Sequence, residues 1–151
     1  MPVRRIAVLA AAVLAAACAP AAPPAGTGAP APRQDAAPAA LATSLSVETA
    51  GDTVRMTLQV TNATAGPLAV AFPSGQTYDF AVLRGSDTLW QWSANKRWTQ
   101  ALREETLAPG ETRTYTEPWV PESPVRGELT ARGWLTSSSH PVERTATIRL
   151  P

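Results

Sequence analysis

The residues of this chain that could do chemistry are few. Its single histidine, His140, follows three serines and precedes Pro141. A Ser-His-Asp triad needs a histidine that a carboxylate holds inside a cleft, whereas a histidine in a polar Ser-Pro loop is usually solvated. We therefore expect no catalytic residue and predict that the protein is not an enzyme.

Metal and cofactor sites are not indicated either. From residue 41 onward the chain has no second histidine, no cysteine and no Asp-x-Asp pattern, which are the usual ligand patterns for zinc and calcium. The neighbouring carboxylates Glu104 and Glu105 would point to opposite faces of a strand. Gly75, Gly85 and Gly110 stand alone in turns and form no phosphate-binding loop. We expect neither a metal nor a cofactor.

The only cysteine, Cys18, lies at the end of an N-terminal targeting pattern. Arg4 and Arg5 precede an apolar run and three alanines, which is typical of a secretory signal peptide. About 12 apolar residues are too few to span a bilayer. The stretch from Leu14 to Cys18 resembles a bacterial lipobox, although the usual pattern has its leucine one position nearer the cysteine. The resemblance implies cleavage before Cys18 and acylation of its thiol. A plain signal peptide with an incidental cysteine is the alternative.

These patterns divide the chain into three segments. Residues 1–17 form the predicted lipoprotein signal peptide. Residues 18–40 are rich in alanine and proline, and we predict a disordered tether because this proline spacing disfavours a helix. Residues 41–151 are long enough to fold around a core of their own. We expect an exported protein, lipid-anchored to the bacterial cell membrane, or to an outer membrane where the host has one.

The charge balance of the folded segment excludes one class of partner. From residue 41 onward the chain has ten Lys or Arg and eleven Asp or Glu residues, with the two signs mixed. Nucleic-acid-binding proteins present a basic patch or stripe. We therefore predict no nucleic-acid partner, and a membrane contact only through the lipid anchor.

The folded segment has the period-two hydrophobicity of β-strands and no long helical pattern. We predict an all-β, immunoglobulin-like antiparallel β-sandwich of seven or eight strands. One helical turn is predicted at 94–98, and 100–107 is expected to be extended. The predicted strands are 45–49, 53–62, 68–72, 78–83, 88–93, 113–119, 129–135 and 142–150.

Aromatic residues concentrate in the predicted hairpin at 72–93. Most of them are expected to pack in the core, as tryptophans commonly do in β-sandwiches. Trp98 lies beside Lys96 and Arg97, and Trp134 is out of phase with the apolar residues of its strand. Exposed tryptophans are enriched at binding hot spots, so Trp98 and Trp134 are candidates for contacts with a partner.

Several sequence blocks together point to a family. They are SGQ at 74–76, YDF at 78–80, W-x-W-S at 90–93 and L-x-P-G-E at 107–111. In this order they resemble the BsuPI-type intracellular proteinase inhibitor domain, over about 47–135. The resemblance implies a β-sandwich that binds and inhibits a serine protease, although the family is named for an intracellular protein and this chain carries an export signal. The blocks themselves are interpreted as framework.

An inhibitor needs an exposed, rigid loop. The segment VPESPV contains two prolines, so we predict that Pro121, Glu122, Ser123 and Pro124 contact the partner, possible partners being a serine protease or another protein. The alternative function is a non-inhibitory protein–protein interaction module of the cell envelope.

Overall fold

The structure is a computed structural model that describes residues 39–151. The predicted signal peptide, Cys18 and nearly all of the predicted tether lie outside the described residues. Within them the chain forms nine strands: β1 Leu41–Ala50, β2 Thr53–Asn62, β3 Leu68–Phe72, β4 Tyr78–Arg84, β5 Asp87–Gln91, β6 Arg103–Leu107, β7 Thr112–Trp119, β8 Gly127–Leu135 and β9 Val142–Leu150.

The strands form three antiparallel sheets, with the orders β1-β2-β7, β3-β6 and β5-β4-β8-β9. The predicted all-β sandwich is confirmed. Residues 39–151 contain nine strands, where seven or eight were predicted. The additional strand is β6, which lies within the stretch 100–107 that was expected to be extended and pairs with β3.

The core lies between the two larger sheets, and period-two alternation selects the residues that fill it. In β2 every second residue is buried, and β8 alternates in the same way until Leu135. Burying one such side chain contributes about 1.5–3 kcal/mol. The most buried large apolar side chains are Phe80, Met56, Leu58, Leu129, Val54, Val60, Val70 and Val82.

The strand register separates two ends of the domain. At the tether end, where the chain enters the domain, Leu41 lies opposite Asn62. At the loop end, Ala50 lies opposite Thr53, and the next residue of β2 lies opposite Trp119. Ten residues of β1 separate the two ends, which is about 30 Å at the usual rise of a strand.

The buried side chain of Asn62 organises the tether end. Its amide nitrogen donates to the carbonyls of Gly66, Leu107 and Ala108 at 2.9–3.1 Å, and its Oδ1 accepts from the backbone N–H of Thr64 at 2.9 Å. Asn62 is 1% exposed. These bonds tie the turn after β2 to the turn after β6.

The turn after β6 forms as the sequence predicts. The N–H of Glu111 donates to the carbonyl of Ala108 at 3.0 Å, and Gly110 adopts a φ of 73°. Such a φ is accessible to glycine without strain.

The helical turn predicted at 94–98 is wrong. The N–H of Ala94 donates to the carbonyl of Gln91, and that of Lys96 donates to Ser93, at 3.2 and 3.0 Å. Both bonds span three residues, so they form successive turns where a helix would need bonds that span four. The chain then runs without regular structure until β6 begins at Arg103.

The strand β5 lies at the edge of its sheet and is irregular. Its register with β4 shifts between Val82 and Leu83, and Leu89 is left without a partner in β4. The strand β7 lies at the edge of the other large sheet and includes Pro118, opposite Arg55. These two edges flank the loop end of the sandwich.

Candidate functional site

The connection between β7 and β8, residues 120–126, is the exposed feature of the loop end. We call it the 120–126 loop. Trp119 is 5% exposed and anchors one side, while Val125 packs against the core on the other. Between these anchors Glu122, Ser123 and Pro124 are exposed, and the chain bends at Glu122 and Ser123. The predicted loop is therefore present, and its tip points into solvent.

Hollows lie on both sides of this loop. The larger is a groove of about 770 Å³ between the loop and β5. In the groove the rings of Trp90 and Trp119 lie 6.5 Å apart, centroid to centroid. Residues 121–124 also line a smaller hollow, which they share with Asp52. The loop is therefore a ridge between two depressions, a shape that can enter a cleft on another protein.

Exposed apolar side chains line the groove. Three large apolar residues of the described chain are exposed, and two of them, Leu89 and Val120, line the groove. Arg84 lies at its rim and donates from its guanidinium to the carbonyl of Arg126 at 3.3 Å. These two side chains give the groove a small exposed apolar surface.

Proline restrains the ridge. Within residues 39–151, no hydrogen bond holds residues 121–125. Pro121 and Pro124 fix their own φ angles near −65° and restrict the residues that precede them. The conformation of the tip is therefore set by covalent geometry and by its two anchors.

The groove wall formed by β5 is held by a buried carboxylate. Asp79 on β4 is 2% exposed. Its Oδ1 accepts from the N–H groups of Phe80 and Ser93 at 2.9 and 3.1 Å. Its Oδ2 accepts from the Gln91 amide at 2.7 Å and from the Ser93 hydroxyl at 2.5 Å. We call Asp79, Gln91 and Ser93 the Asp79 clasp, which fixes the end of β5 to β4.

Sequence reasoning did not find the Asp79 clasp, because it considered only the aromatic residues of the YDF and W-x-W-S blocks. Alternation gives no signal for it, because a residue between two packed residues of a strand is expected to point to the opposite face. Asp79 is nevertheless buried, and its partners Gln91 and Ser93 are the polar residues of the second block.

The turn at 74–76 has the framework role that the sequence predicts. The Ser74 hydroxyl accepts from the N–H of Gln76 at 3.2 Å. The N–H of Gly75 donates to the carbonyl of Thr99 at 2.9 Å. A Cβ on Gly75 would lie 2.7 Å from the Thr99 hydroxyl oxygen, so the two segments approach closely because residue 75 is glycine.

Four aromatic rings stack in a row beside this turn. Tyr78 stacks on Tyr115 and on Trp92 at 4.5 Å, and Trp92 contacts Trp98 at 5.4 Å. All four rings are half-buried. The Tyr78 hydroxyl donates to Glu117 Oε1 at 2.6 Å. Burial raises the pKa of Tyr78 well above its ordinary value, and the hydrogen bond to Glu117 raises it further. Burial also raises the pKa of Tyr115.

Residues 41–140 match the model of a protein family described as BsuPI, intracellular proteinase inhibitor. The chain belongs to the BsuPI family. The matched range covers β1 to β8 and includes the Asp79 clasp, the aromatic row and the 120–126 loop.

Comparison with solved structures finds similarity to parts of larger proteins. The BsuPI chain is similar to Spo0M, a sporulation control protein from Bacillus subtilis, at 13% identity and a TM-score of 0.42; the match covers 74% of this chain and 48% of that one. It is also similar to a GH3 β-glucosidase from Bifidobacterium adolescentis, at 22% identity, a TM-score of 0.41 and coverages of 73% and 17%. The chain thus spans under half the length of these proteins. Comparison with curated proteins gives no match.

The structure divides the predicted partner-binding residues of the BsuPI domain into two groups. Residues 121–124 lie at the loop end. Trp98 is half-buried on Trp92 and does not line the groove. Trp134 is half-buried, with the Arg132 guanidinium 4.8 Å from its ring centroid, and it lies seven residues along β8 from Gly127. Of the six residues, only those at 121–124 line the groove itself, while Trp98 contacts Trp92 at its wall.

His140 and the possible metal ligands were also considered for chemistry. The backbone N–H of His140 donates to the Ser137 hydroxyl at 3.0 Å, which closes a local turn. In the described part of the chain no cluster of three or more His, Cys, Asp or Glu residues could hold a metal ion. Residues 39–151 also provide no helix with the length and hydropathy needed to cross a membrane.

Proposed function

We propose that this BsuPI domain inhibits a serine protease by inserting the 120–126 loop into the enzyme's substrate cleft. The match of the inhibitor family over residues 41–140 is the observation that carries the proposal. The ridge shape of residues 121–124 between two hollows supports the choice of loop.

The physical argument is preorganisation. Ordering a flexible loop on binding costs about 0.5–1.5 kcal/mol for each immobilised side chain. Two prolines and the buried anchor Trp119 reduce this cost before the complex forms. Protease–inhibitor interfaces change little in backbone conformation on binding, which agrees with a restrained loop.

The test is an inhibition titration of the purified full chain against subtilisin-like and other serine proteases. We expect inhibition at or below micromolar concentration for at least one enzyme. Replacing Pro121 and Pro124 together by glycine should weaken that inhibition and leave the tryptophan fluorescence of the folded domain unchanged. If no protease among several is inhibited at micromolar concentration, the proposed activity is wrong.

The proposal places the inhibitor at the bacterial membrane through an acylated Cys18. The lipobox-like sequence that ends at Cys18 supports it, and two or three acyl chains are sufficient for stable anchoring. The chain enters the domain at Leu41, about 30 Å from the loop end by strand rise. Mass spectrometry of the mature N-terminus tests the anchor: acylated Cys18 is expected, and an unmodified terminus downstream of it would exclude the anchor.

A protein–protein interaction module without inhibitory activity is the second candidate. The groove beside the loop favours it, because Leu89 and Val120 are exposed there. A pull-down from bacterial membranes with the full chain and with a Leu89→Glu variant distinguishes the two candidates. A non-protease partner that is lost with Leu89→Glu supports the module, and recovery of proteases alone argues against it.

A further inference from the structure

The sequence of the ridge restricts which of its peptide bonds a protease cleft can accept. Serine proteases bind substrate in an extended form, and the residue that fills the primary specificity pocket donates its backbone N–H to the enzyme. Proline has no N–H, and its ring hinders attack on the bond that precedes it. In V-P-E-S-P-V, four of the five bonds have proline on one side or the other. Only the bond between Glu122 and Ser123 has none.

That bond is also exposed to solvent. Glu122 and Ser123 are both exposed, and the chain bends at these two residues. Pro121 precedes the bond and Pro124 follows it, so both flanks of the bond are conformationally restrained. The residue type and the exposure select the same position.

The Glu122 carboxylate is available to a partner. None of the four ion pairs in residues 39–151 includes it. Asp52 lines the smaller hollow together with Glu122, so the surface next to the tip carries a second negative charge. A protease pocket lined by apolar side chains would have to bury the Glu122 charge without a partner, which is costly.

From these observations we infer that Glu122 is the specificity-determining residue of the ridge and that the partner is a serine protease whose primary specificity pocket carries positive charge. The inference rests on the proposed function, since it requires the 120–126 loop to occupy a substrate cleft. The pocket of a serine protease selects the residue before the scissile bond. A basic pocket would pair with Glu122, and the electrostatic complementarity would also steer the encounter.

The experiment compares inhibition by the purified full chain of four enzymes: a glutamate-specific serine protease, subtilisin, chymotrypsin and trypsin. The wild type should inhibit the glutamate-specific enzyme best. Glu122→Lys should lose that inhibition by roughly 30-fold or more, the loss expected when a buried charge pair loses a partner, and should gain inhibition of trypsin. Glu104→Lys makes the same charge change at an exposed residue of β6 outside the four ion pairs and should retain the wild-type ranking.

The outcomes separate this inference from the proposed function. If the Pro121→Gly/Pro124→Gly variant loses inhibition but Glu122→Lys keeps the wild-type ranking, the role of Glu122 is refuted and the inhibitory loop stands. A wild type that inhibits subtilisin or chymotrypsin better than the glutamate-specific enzyme also refutes it. If the wild type inhibits none of the four enzymes, both the inference and the proposed function are wrong for this group of proteases.

Discussion

Replacement of Asp79 by alanine should destabilise the domain severely. The carboxylate accepts four hydrogen bonds, two of them from the backbone N–H groups of Phe80 and Ser93. Each buried donor left without an acceptor costs about 1–3 kcal/mol. The carboxylate's own desolvation cost offsets part of this loss. We therefore expect Asp79→Ala to lower the free energy of unfolding by about 3–5 kcal/mol.

Urea denaturation followed by tryptophan fluorescence measures this effect. For an m-value of about 2 kcal/mol per M, the midpoint should fall by about 2 M while the m-value itself stays unchanged. Ser93→Ala removes the hydroxyl that donates to Asp79 at 2.5 Å and accepts from the Gln91 amide at 3.1 Å, but it keeps the backbone donor. It should cost about 1–2 kcal/mol. This graded variant keeps the test informative if Asp79→Ala does not fold.

The matched control for the clasp is Asp87→Ala, an exposed aspartate on the neighbouring strand β5. Its effect should stay within about 0.5 kcal/mol. An Asp79→Ala variant no less stable than Asp87→Ala would refute the argument that the clasp holds β5 on β4.

Three further predictions concern other parts of the described fold. The pKa values of both tyrosines of the chain, Tyr78 and Tyr115, are raised in the folded state. The unfolded chain therefore loses its phenolic protons at a lower pH than the folded chain. The contribution of the tyrosines to the free energy of unfolding should be fully present below about pH 10 and fall as the pH rises beyond it. Phenolate absorbance in the native protein should titrate above that pH, Tyr78→Phe should make the alkaline loss of stability shallower, and a native titration at the ordinary value would contradict the argument. A Cβ on Gly133 would lie 3.0 Å from the Phe80 ring, so Gly133→Ala should cost about 1–3 kcal/mol by overpacking, while Gly66→Ala, in open space, should be nearly neutral; equal thermal midpoints would count against the packing argument. Asn62→Asp should destabilise more than Asn62→Ala, because a carboxylate would face the three carbonyls that the amide now binds; the reverse order in a urea titration would show that these bonds do not set the stability of the tether end.

The sequence predicts strands well where alternation is strict. The interval Thr53–Asn62 was predicted with its observed bounds, because its apolar residues recur at every second position. The first strand was predicted only over 45–49, yet β1 begins at Leu41. Thr43 occupies the half-buried position between Leu41 and Leu45 and interrupts the apolar alternation. Pairing with β2 supplies the order that the local sequence does not.

Parts of the candidate site depend on tertiary contacts and were harder to predict. Two prolines and polar residues identified the 120–126 loop, but only the fold brings Leu89 of β5 beside it to form the groove. Charged neighbours of Trp98 and the phase of Trp134 in its strand led to the expectation that both are exposed. Both are half-buried: Trp98 lies against Trp92, and Trp134 lies against Arg132. Which neighbour covers a tryptophan is set by long-range packing.

The irregular pairing of β5 has a consequence for self-association. A regular edge strand presents a repeating row of donors and acceptors that a strand of another chain can extend, which leads to aggregation or fibrils. The shift beside Leu89 interrupts this row on one edge. On the other edge, Pro118 lacks the N–H that a continuing ladder would need. The edges formed by β5 and β7 are thus protected against sheet extension, so copies of the domain can be crowded together without polymerising through these two strands.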